Sequence, residues 1–374
     1  MQPLCAFTVC TFYLLPKFLT SEFSASPSQV GWVSTAYGGA SIVALPILGV
    51  AIDRSSARRL MLVSSLVLVG SALGFVWVEA FGPLVLILRF AQGVAWALSF
   101  TAGMMLTTTL APPERLSQAI GYYGSSNLVM NALAPAVAET LAEHFGWKVS
   151  FLAAAVTSAF AWFIARGLPK AQPAPPIVTS LWSLLGRQSS WWMVVIVAIW
   201  GSAFGAMLTF CQPFAMALGI QRVRGFFIAY TAAALFARLA TGGLPDRIGR
   251  YRVSVGSLAL YAAVVFATQG LRPGWLEPLG LFFGLAHGLF FPAFSALTLE
   301  RVTVAEQGKL TALSNGAFNL GFAASGAVLG PIAEHVGYPR VFTVAGLATF
   351  AGVAILPLTP FKRSKLPPEA LDPI

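Results

Sequence analysis

The sequence predicts an all-α polytopic membrane protein with twelve transmembrane helices, arranged as two pseudo-symmetric six-helix bundles. Three observations lead to this prediction: the composition, the recurrence of long apolar segments, and a near repeat of the first half in the second. Hydrophobic residues make up 57% of the 374 residues and charged residues only 10%, and the mean hydropathy is +0.77. Soluble domains carry about 25% charged residues, so this composition is typical of a membrane protein.

Apolar segments long enough to cross a bilayer recur along nearly the whole chain. A transmembrane helix needs about 20 predominantly apolar residues. The first half contains six such segments, at 3–20, 30–52, 60–79, 83–108, 117–142 and 148–166. The second half contains six more, at 191–218, 225–244, 252–270, 276–299, 308–333 and 339–358. The segments lack the alternating pattern of barrel strands, so we predict helices.

A proline-rich segment separates the two groups of six spans. Its prolines are Pro169, Pro173, Pro175 and Pro176, and such a cluster is typical of a linker. We therefore predict four units: an N-terminal bundle at 1–167, a cytoplasmic linker at 168–190, a C-terminal bundle at 191–358 and a cytoplasmic tail at 359–374.

The distribution of Lys and Arg predicts the orientation in the membrane. The even-numbered loops, the linker and the C-terminal tail hold 15 of these residues, and the odd-numbered loops hold 6. Cytoplasmic loops carry the excess, so both termini are expected in the cytoplasm and the protein in the inner membrane. The formal charge of +10 then reflects topology and contact with anionic lipid rather than nucleic-acid binding. The first lysine, Lys17, follows the first apolar run, which disfavours a signal peptide and favours a native start upstream of Met1.

Three pairs of matching segments indicate that the second half repeats the first. The sequence GVAIDRSSARR at 49–59 matches GGLPDRIGRYR at 242–252, and AEHFGWKVSF at 142–151 matches AEHVGYPRVF at 333–342. The segment GSSNL at 124–128 likewise matches GAFNL at 316–320. The offsets are nearly constant, so we predict a duplicated six-helix unit with a central cavity between the copies.

The two charged segments resemble the two copies of the loop motif of the major facilitator superfamily, in which a Gly precedes Asp-Arg, a further Gly and basic residues. The first copy keeps Gly49, Asp53, Arg54, Arg58 and Arg59 but has Ser56 in place of the second Gly. The second copy keeps Gly242, Asp246, Arg247, Gly249, Arg250 and Arg252. The segment LILRFAQGVAWA, with Arg89 and Gln92, resembles the fourth-helix motif of proton-coupled members. The resemblance implies a secondary transporter that needs no cofactor.

The charged loops are interpreted as two conformational latches, one for each half. A Gly allows close helix approach, the Asp can accept hydrogen bonds from the amides of a facing helix, and the arginines can pair with carboxylates. Glu114 and Glu300 are the expected carboxylate partners. Such contacts can close one face of a cavity and break when the halves rock. The alternative is that the loops serve only as positive-inside anchors.

Polar residues inside the spans are the candidates for the functional site. Asn127 and Asn319 are matched copies, so hydrogen bonding between helices is favoured over ligand contact for them. The candidates found in one half only are Arg89, Arg238 and His287, with Gln212 as a weaker member.

Arg238 is the strongest candidate for binding an anion. It lies eight residues before Asp246, which places it ~12 Å along the eighth helix, near the middle of the membrane. An intramembrane Arg normally faces water or a partner, and no Asp or Glu lies in the middle of any span. The segment LFARLATGGLPDRIGR also resembles the eighth helix of monocarboxylate and oxalate-type members, in which an arginine holds the substrate anion. The alternative is that Arg238 pairs with backbone carbonyls or Glu139.

Coupling to protons is assigned to three residues. The family resemblance implies this role for Arg89 and Gln92, whereas an Arg89 that extends to the outer surface is the alternative. His287 is the only mid-span group that titrates near neutral pH. Both a proton carrier and a hydrogen-bonded core histidine remain open for it.

The sequence predicts a secondary transporter that moves a small organic solute, with a carboxylate favoured, by proton-linked alternating access. No HxxxH, HExxH or GxxxxGK[ST] motif occurs, so neither a metalloenzyme nor an ATP-driven pump is expected. A drug or metabolite efflux proton antiporter is the first alternative, and a transport-inactive membrane scaffold is the second. The expected partners are the solute, protons and the lipid bilayer, and the chain is expected to be a monomer that binds no nucleic acid.

Overall fold

The computed structural model describes residues 1–112, 115–168, 187–240 and 243–362, except the side chains of 45–54, 116–118, 120–121, 304–305 and 362. Every long element in these ranges is an α-helix. The first half contains α1 (Gln2–Thr11), α2 (Leu15–Phe23), α3 (Pro27–Arg54), α4 (Ala57–Val76), α5 (Pro83–Leu110), α6 (Leu116–Phe145) and α7 (Trp147–Ala165). The second half contains α8 (Gln188–Ala217), α9 (Arg224–Ala240), α10 (Leu244–Ile248), α11 (Arg250–Ala267), α12 (Leu276–Leu299), α13 (Val304–Val336) and α14 (Tyr338–Ile355).

The helices reproduce the twelve predicted spans, and the first span is made of two helices. A 3₁₀ turn at Phe12–Leu14 joins α1 to α2. Pro16 lies in the first turn of α2, where a missing N–H breaks no helical hydrogen bond. Among the described residues, nine helical stretches are long and apolar enough to cross a membrane. The remaining three long helices are α3, α6 and α9.

A separate short helix begins at the end of the predicted eighth span. The structure describes α9 as far as Ala240, residues 241–242 lie outside the described residues, and the five-residue helix α10 occupies the second charged loop. Gly243 caps α10, and Pro245 lies in its first turn. Pro at the start of a helix is favourable, whereas Pro within a continuing helix would break it, so the chain starts a new helix here.

The duplicated unit is visible in the geometry where the fifth helix of each half ends. Gly146 ends α6 with φ of 84°, and Gly337 ends α13 with φ of 93°. A residue with a side chain is strained at such positive φ values, which explains why both copies have Gly here. In each half the next helix begins at the following residue. The two halves therefore share a backbone turn as well as a sequence pattern.

The two halves meet along α3 with α13 and along α6 with α9. Gly31 and Gly326 lie against each other: a Cβ atom on either would fall 2.3 Å from the carbonyl oxygen of the other. Only a pair of glycines allows the two helices to approach so closely. We call the end of the molecule that carries the turns at 24–26, 146, 218–223 and 337 the odd-loop end, and the opposite end the even-loop end.

Candidate functional site

Arg89 on α5 lies between helices rather than at the membrane surface. Its side chain is buried, with only 4% exposed, and Nη1 donates to Oε1 of Gln92 at 2.8 Å. The guanidinium carbon lies 4.2 Å from the ring centroid of Tyr37 on α3, a distance typical of a cation–π contact. Arg89 and Gln92, which are both assigned to proton coupling, are therefore in contact. The alternative in which Arg89 extends to the outer surface is wrong.

Arg238 on α9 is a half-buried cation that forms neither a hydrogen bond nor a salt bridge within the described part of the chain. Its Nε atom is buried without a partner, and its guanidinium carbon lies 5.5 Å from the ring centroid of Phe291. It is close enough to Tyr230 and His287 to interact electrostatically with both. Glu139 has other partners, so the alternative in which it neutralises Arg238 is also wrong.

His287 on α12 is enclosed by aromatic rings of the second half. Its ring centroid lies 5.2 Å from those of Trp200 and Phe204 on α8, and 5.5 Å from that of Tyr230 on α9. Tyr261 on α11 completes the enclosure at 6.4 Å. We call these four residues the aromatic shell. The shell could not be predicted from the sequence, because aromatic residues are frequent throughout this chain.

Four buried polar atoms of this region lack hydrogen-bond partners among the described residues. They are Nδ1 of His287, Nε1 of Trp200 and the hydroxyl groups of Tyr230 and Tyr261. A buried polar group without a partner costs about 1–3 kcal/mol. Four such groups within one shell are therefore unusual, and a bound molecule with hydrogen-bonding groups would satisfy them.

Glycines bring α9 and α12 together so that the shell can form. A Cβ atom on Gly284 would fall 2.0 Å from the carbonyl oxygen of Tyr230, and one on Gly288 would fall 2.7 Å from that of Ala234. Any larger residue would push the two helices apart. Close packing therefore sets the distance between His287 and Tyr230.

Gln212 on α8 joins the two halves, so its amide nitrogen is not free to bind a solute. Its Nε2 atom donates to the backbone carbonyl of Tyr13 at 2.7 Å and to that of Leu208 at 2.9 Å. Only its Oε1 atom lacks a partner. The side chain therefore holds α8 against the break in the first span.

The two matched asparagines bond within their own helices. Nδ2 of Asn127 donates to the carbonyl of Tyr123, and Nδ2 of Asn319 to that of Asn315, each at 2.9 Å. The expected hydrogen bonds between helices are absent among the described residues. Each amide instead bonds the carbonyl four residues earlier, which is the nearest acceptor on a helix.

The second charged loop forms a cluster within the second half. Nε and Nη2 of Arg250 donate to Oδ1 of Asp246 at 3.0 and 2.9 Å, and Nη1 donates to Glu300. Asp246 therefore pairs with a side chain four residues away, and not with the amides of a facing helix as expected. Arg247 and Arg252 are exposed. Gly249 has φ of 106°, a conformation that Gly adopts without strain.

The first charged loop is described only in part. Gly242 of the second copy and Glu114 lie outside the described residues, as do the side chains of Asp53 and Arg54, and at Gly49 only the helical backbone is described. Arg58 and Arg59 lie in the first turn of α4. The described contacts of the two loops therefore give no bond between the halves.

A polar cluster at the odd-loop end joins the two halves. It was not predicted from the sequence. Glu139 on α6 is fully buried and accepts a hydrogen bond of 2.5 Å from Nζ of Lys17. It also accepts from the backbone amides of Val223 at 2.9 Å and Arg224 at 2.6 Å, at the start of α9. Lys17 also donates to the carbonyl of Gln221 at 2.5 Å. We call these five residues the clasp.

Further hydrogen bonds between the halves extend from the clasp to the middle of the molecule. Ser34 and Thr209 bond at 2.7 Å, and Thr35 donates to the carbonyl of Ala323 at 2.9 Å. Glu334 accepts from the hydroxyl of Ser26 at 3.1 Å and from the amide of Ser28 at 3.2 Å. The halves are therefore held together at the odd-loop end.

The family model described as Major Facilitator Superfamily matches residues 4–276 and 225–373. An uncharacterized MFS-type transporter of Burkholderia mallei (strain SAVP1) is 22% identical over 364 residues, which covers 91% of this chain and 86% of that protein. A protein of Burkholderia pseudomallei (strain K96243) with the same description matches to the same extent.

Two solved structures share the fold. A crystal structure of the nucleoside transporter NupG (D323A mutant) aligns with a TM-score of 0.78 at 14% identity, covering 96% of this chain and 98% of that one. The human organic anion transporter MFSD10 (TETRAN) aligns with a TM-score of 0.68 at 16% identity, covering 95% and 96%. At these identities the likeness concerns the fold alone.

Proposed function

The chain belongs to the major facilitator superfamily, since the family model matches both of its halves, and from this premise we propose that it transports a small organic anion by alternating access. The observation that carries the proposal is the guanidinium of Arg238, which lies beside the aromatic shell without an acidic partner among the described residues. Residues in the middle of the bundle are the natural contacts of a solute in this architecture.

The charge of the central region favours an anion. Arg89 and Arg238 are its cations, and the fully buried acid Glu139 of α6 is already bound in the clasp. A cation that is partly removed from water without a counter-ion carries a desolvation cost. A carboxylate that binds Arg238 through charge-assisted hydrogen bonds would offset this cost. A neutral or cationic solute would not offset this desolvation cost.

The aromatic shell favours a solute with an apolar body and hydrogen-bond acceptors. Trp200, Tyr230 and Tyr261 each have a donor group without a partner, and their rings offer flat apolar surface. Tyr and Trp combine such a surface with a polar atom, which suits them to bind amphipathic molecules. The proposed solute therefore has a carboxylate or similar group at Arg238 and an apolar part against the shell.

We further propose that transport is linked to protons through His287, Arg89 and Gln92. The positive charges of Arg238 and of a protonated His287 would repel each other. An anion bound at Arg238 would remove this repulsion, so solute and proton would bind favourably together. Anion exchange, or movement of the solute in its protonated form, would make His287 dispensable.

The clasp supports a mechanism in which the halves rock about the central site. The hydrogen bonds of the clasp and those of Ser34 with Thr209 and of Thr35 with Ala323 join the halves from the middle to the odd-loop end. Opening that end would require Glu139 to leave the start of α9. We propose that both termini face the cytoplasm of a cell whose inner membrane holds the protein as a monomer, so that the clasp closes the outer face. The charged loops are then available as latches in the opposite state.

A binding screen tests the anion proposal. Thermal shift of the purified protein would be measured with carboxylates, nucleosides, sugars and organic cations. We expect carboxylates to stabilise the wild type and Arg238→Ala to weaken their binding at least about 30-fold, since a charge-assisted hydrogen bond contributes about 2 kcal/mol. Arg238→Lys keeps the charge, so its affinity for carboxylates is expected to lie between those of the wild type and Arg238→Ala. Arg272→Ala, at an exposed Arg whose guanidinium carbon lies 5.4 Å from the ring centroid of Trp275, is the matched control. Unchanged carboxylate binding in Arg238→Ala would refute the proposal.

A flux measurement tests the role of His287 separately. Wild type and His287→Gln would be reconstituted in proteoliposomes with an imposed pH gradient, using the carboxylate found in the screen. We expect the gradient to drive accumulation in the wild type only, while exchange without a gradient persists in both. Gradient-driven accumulation that survives in His287→Gln removes His287 from the coupling mechanism and leaves the anion site intact.

A further inference from the structure

A cavity of about 580 Å³ opens at the even-loop end of the first half, apart from the central site. Its lining residues are Arg58, Phe163, Ile164, Arg166 and Gly167. Arg58 lies in the first turn of α4, and Phe163 and Ile164 lie in the last turn of α7. Neither helix contributes to the aromatic shell or to the clasp. The cavity therefore has no part in the proposed solute site.

Two arginines line this cavity without an acidic partner in the described part of the chain. Arg58 and Arg166 form no side-chain hydrogen bond or salt bridge there, and the guanidinium carbon of Arg166 lies 5.1 Å from the ring centroid of Trp162. The segment that follows the cavity, residues 169–186, contains no Asp or Glu. Two like charges in one cavity repel each other, and an anion between them would remove this repulsion.

Apolar side chains lie beside the two arginines. Phe163 and Ile164 are 67% and 45% exposed, respectively, and they occupy the last turn of a helix that is apolar enough to cross a membrane. At the end of such a helix, exposed apolar side chains contact the acyl chains while the basic residues reach the headgroup level. The cavity thus joins two guanidinium groups to a surface that faces lipid.

We propose that this cavity is a binding site for the phosphate headgroup of an anionic phospholipid. Arg58 and Arg166 bind the phosphate oxygens, for which the planar guanidinium is well suited. Phe163 and Ile164 pack against the upper part of the acyl chains. A free phosphate shares the headgroup chemistry but has no chains for the apolar side of the cavity. Basic pockets between transmembrane helices at the membrane surface bind anionic headgroups in this way.

The test compares lipid retention by variants that carry the same net charge. Wild-type protein in mild detergent would be given equal amounts of phosphatidylglycerol and phosphatidylcholine, and bound lipid would be counted by native mass spectrometry. The site variant is Arg58→Gln with Arg166→Gln. The matched control is Arg59→Gln with Arg115→Gln, which removes two exposed charges from the same end of the same half. The melting temperature of each variant reports whether it is folded.

We expect the wild type and the control to retain phosphatidylglycerol in preference to phosphatidylcholine. Each single substitution in the cavity is expected to weaken retention about fivefold, and the site variant to lose the preference. Equal loss in the control would mean general attraction to a basic surface and would overturn the proposal. A stabilisation of the wild type by inorganic phosphate as large as that by the lipid would assign the cavity to a free phosphate instead, which also overturns it. If the site variant does not fold, the two single substitutions provide the comparison.

Discussion

The carboxylate of Glu139 accepts a hydrogen bond of 2.6 Å from the backbone amide of Arg224, the first residue of α9. An acid of the first half thus caps a helix of the second half, where the exposed amides and the helix dipole favour a negative charge. Lys17 donates to the same carboxylate, which neutralises it in a buried place. This contact explains how an otherwise costly buried acid is stable at the odd-loop end.

Removing the charge of Glu139 should loosen the contact between the halves. Glu139→Gln keeps one acceptor oxygen but leaves Lys17 buried without its counter-ion, and we expect a loss of about 1–3 kcal/mol of stability. Glu143→Gln is the matched control, because Glu143 pairs with Arg224 at 2.9 Å but is partly exposed, and exposed pairs contribute about 0–1 kcal/mol. Thermal unfolding of both variants measures the difference. Equal melting temperatures would mean that the clasp contributes little.

The contact of Arg89 with Tyr37 should be needed for transport. Tyr37→Phe keeps the ring 4.2 Å from the guanidinium carbon, so we expect near-normal flux in proteoliposomes. Tyr37→Leu removes the ring, and a cation–π contact of about 1 kcal/mol corresponds to a fivefold effect. If the two variants transport equally well, the ring has no role in positioning Arg89.

Close packing of α9 on α12 should not tolerate a side chain at Gly284. In Gly284→Ala the new Cβ atom would overlap the carbonyl of Tyr230, so we expect a lower melting temperature and weaker solute binding. Gly256→Ala on α11 is the control, because a Cβ atom there would meet nothing within 4 Å. Ala favours helices over Gly by about 1 kcal/mol, so the control should be unchanged or slightly more stable. A stable, fully active Gly284→Ala would contradict the packing argument.

The donors of the aromatic shell should contribute to solute affinity. Tyr230→Phe and Tyr261→Phe remove hydroxyl groups that lack partners and keep the rings. If the solute accepts hydrogen bonds from them, each change should weaken binding about fivefold, because a hydrogen bond contributes about 1 kcal/mol. Each substitution should also stabilise the solute-free protein slightly, since it removes a buried hydroxyl group without a hydrogen-bond partner. Titration calorimetry and thermal unfolding separate the two effects. Weaker stability with unchanged affinity would mean that the hydroxyls serve the fold.

The helices could be predicted from the sequence because hydropathy is local. Each predicted span corresponds to a helix, and the repeat is confirmed in the matching turns at Gly146 and Gly337. The exceptions also have local causes. Pro16 accompanies the interrupted first span, and Pro245 lies in the first turn of a short helix in the loop between the predicted spans at 225–244 and 252–270. These two residues could have indicated the breaks.

The site could be predicted only where a residue type is rare in its surroundings. Arg89, Arg238 and His287 are unusual inside apolar spans, and the structure packs Arg89 against Tyr37 and His287 against the rings of the aromatic shell. The aromatic shell gave no such signal. The clasp depends on residues that lie far apart in the chain: Lys17 and Glu139 are separated by 122 positions. Such a pairing follows from how the helices pack, which one sequence does not reveal. The predicted partners of Asp246 and of the two asparagines were wrong for a different reason, because each side chain bonds a group four residues away in the chain instead of one on a facing helix.

Distances between the halves provide the most direct test of a transporter that rocks about its centre. Spin labels would be placed at Glu79 and Arg272, exposed residues at the odd-loop end of each half, since the native cysteines are buried. Pulsed electron paramagnetic resonance should give a short distance and a second, longer distance in the wild type. The fraction of molecules with the longer distance should increase in Glu139→Gln. A single, identical distance in both proteins would contradict the account, because the odd-loop end would then not open when its clasp is weakened.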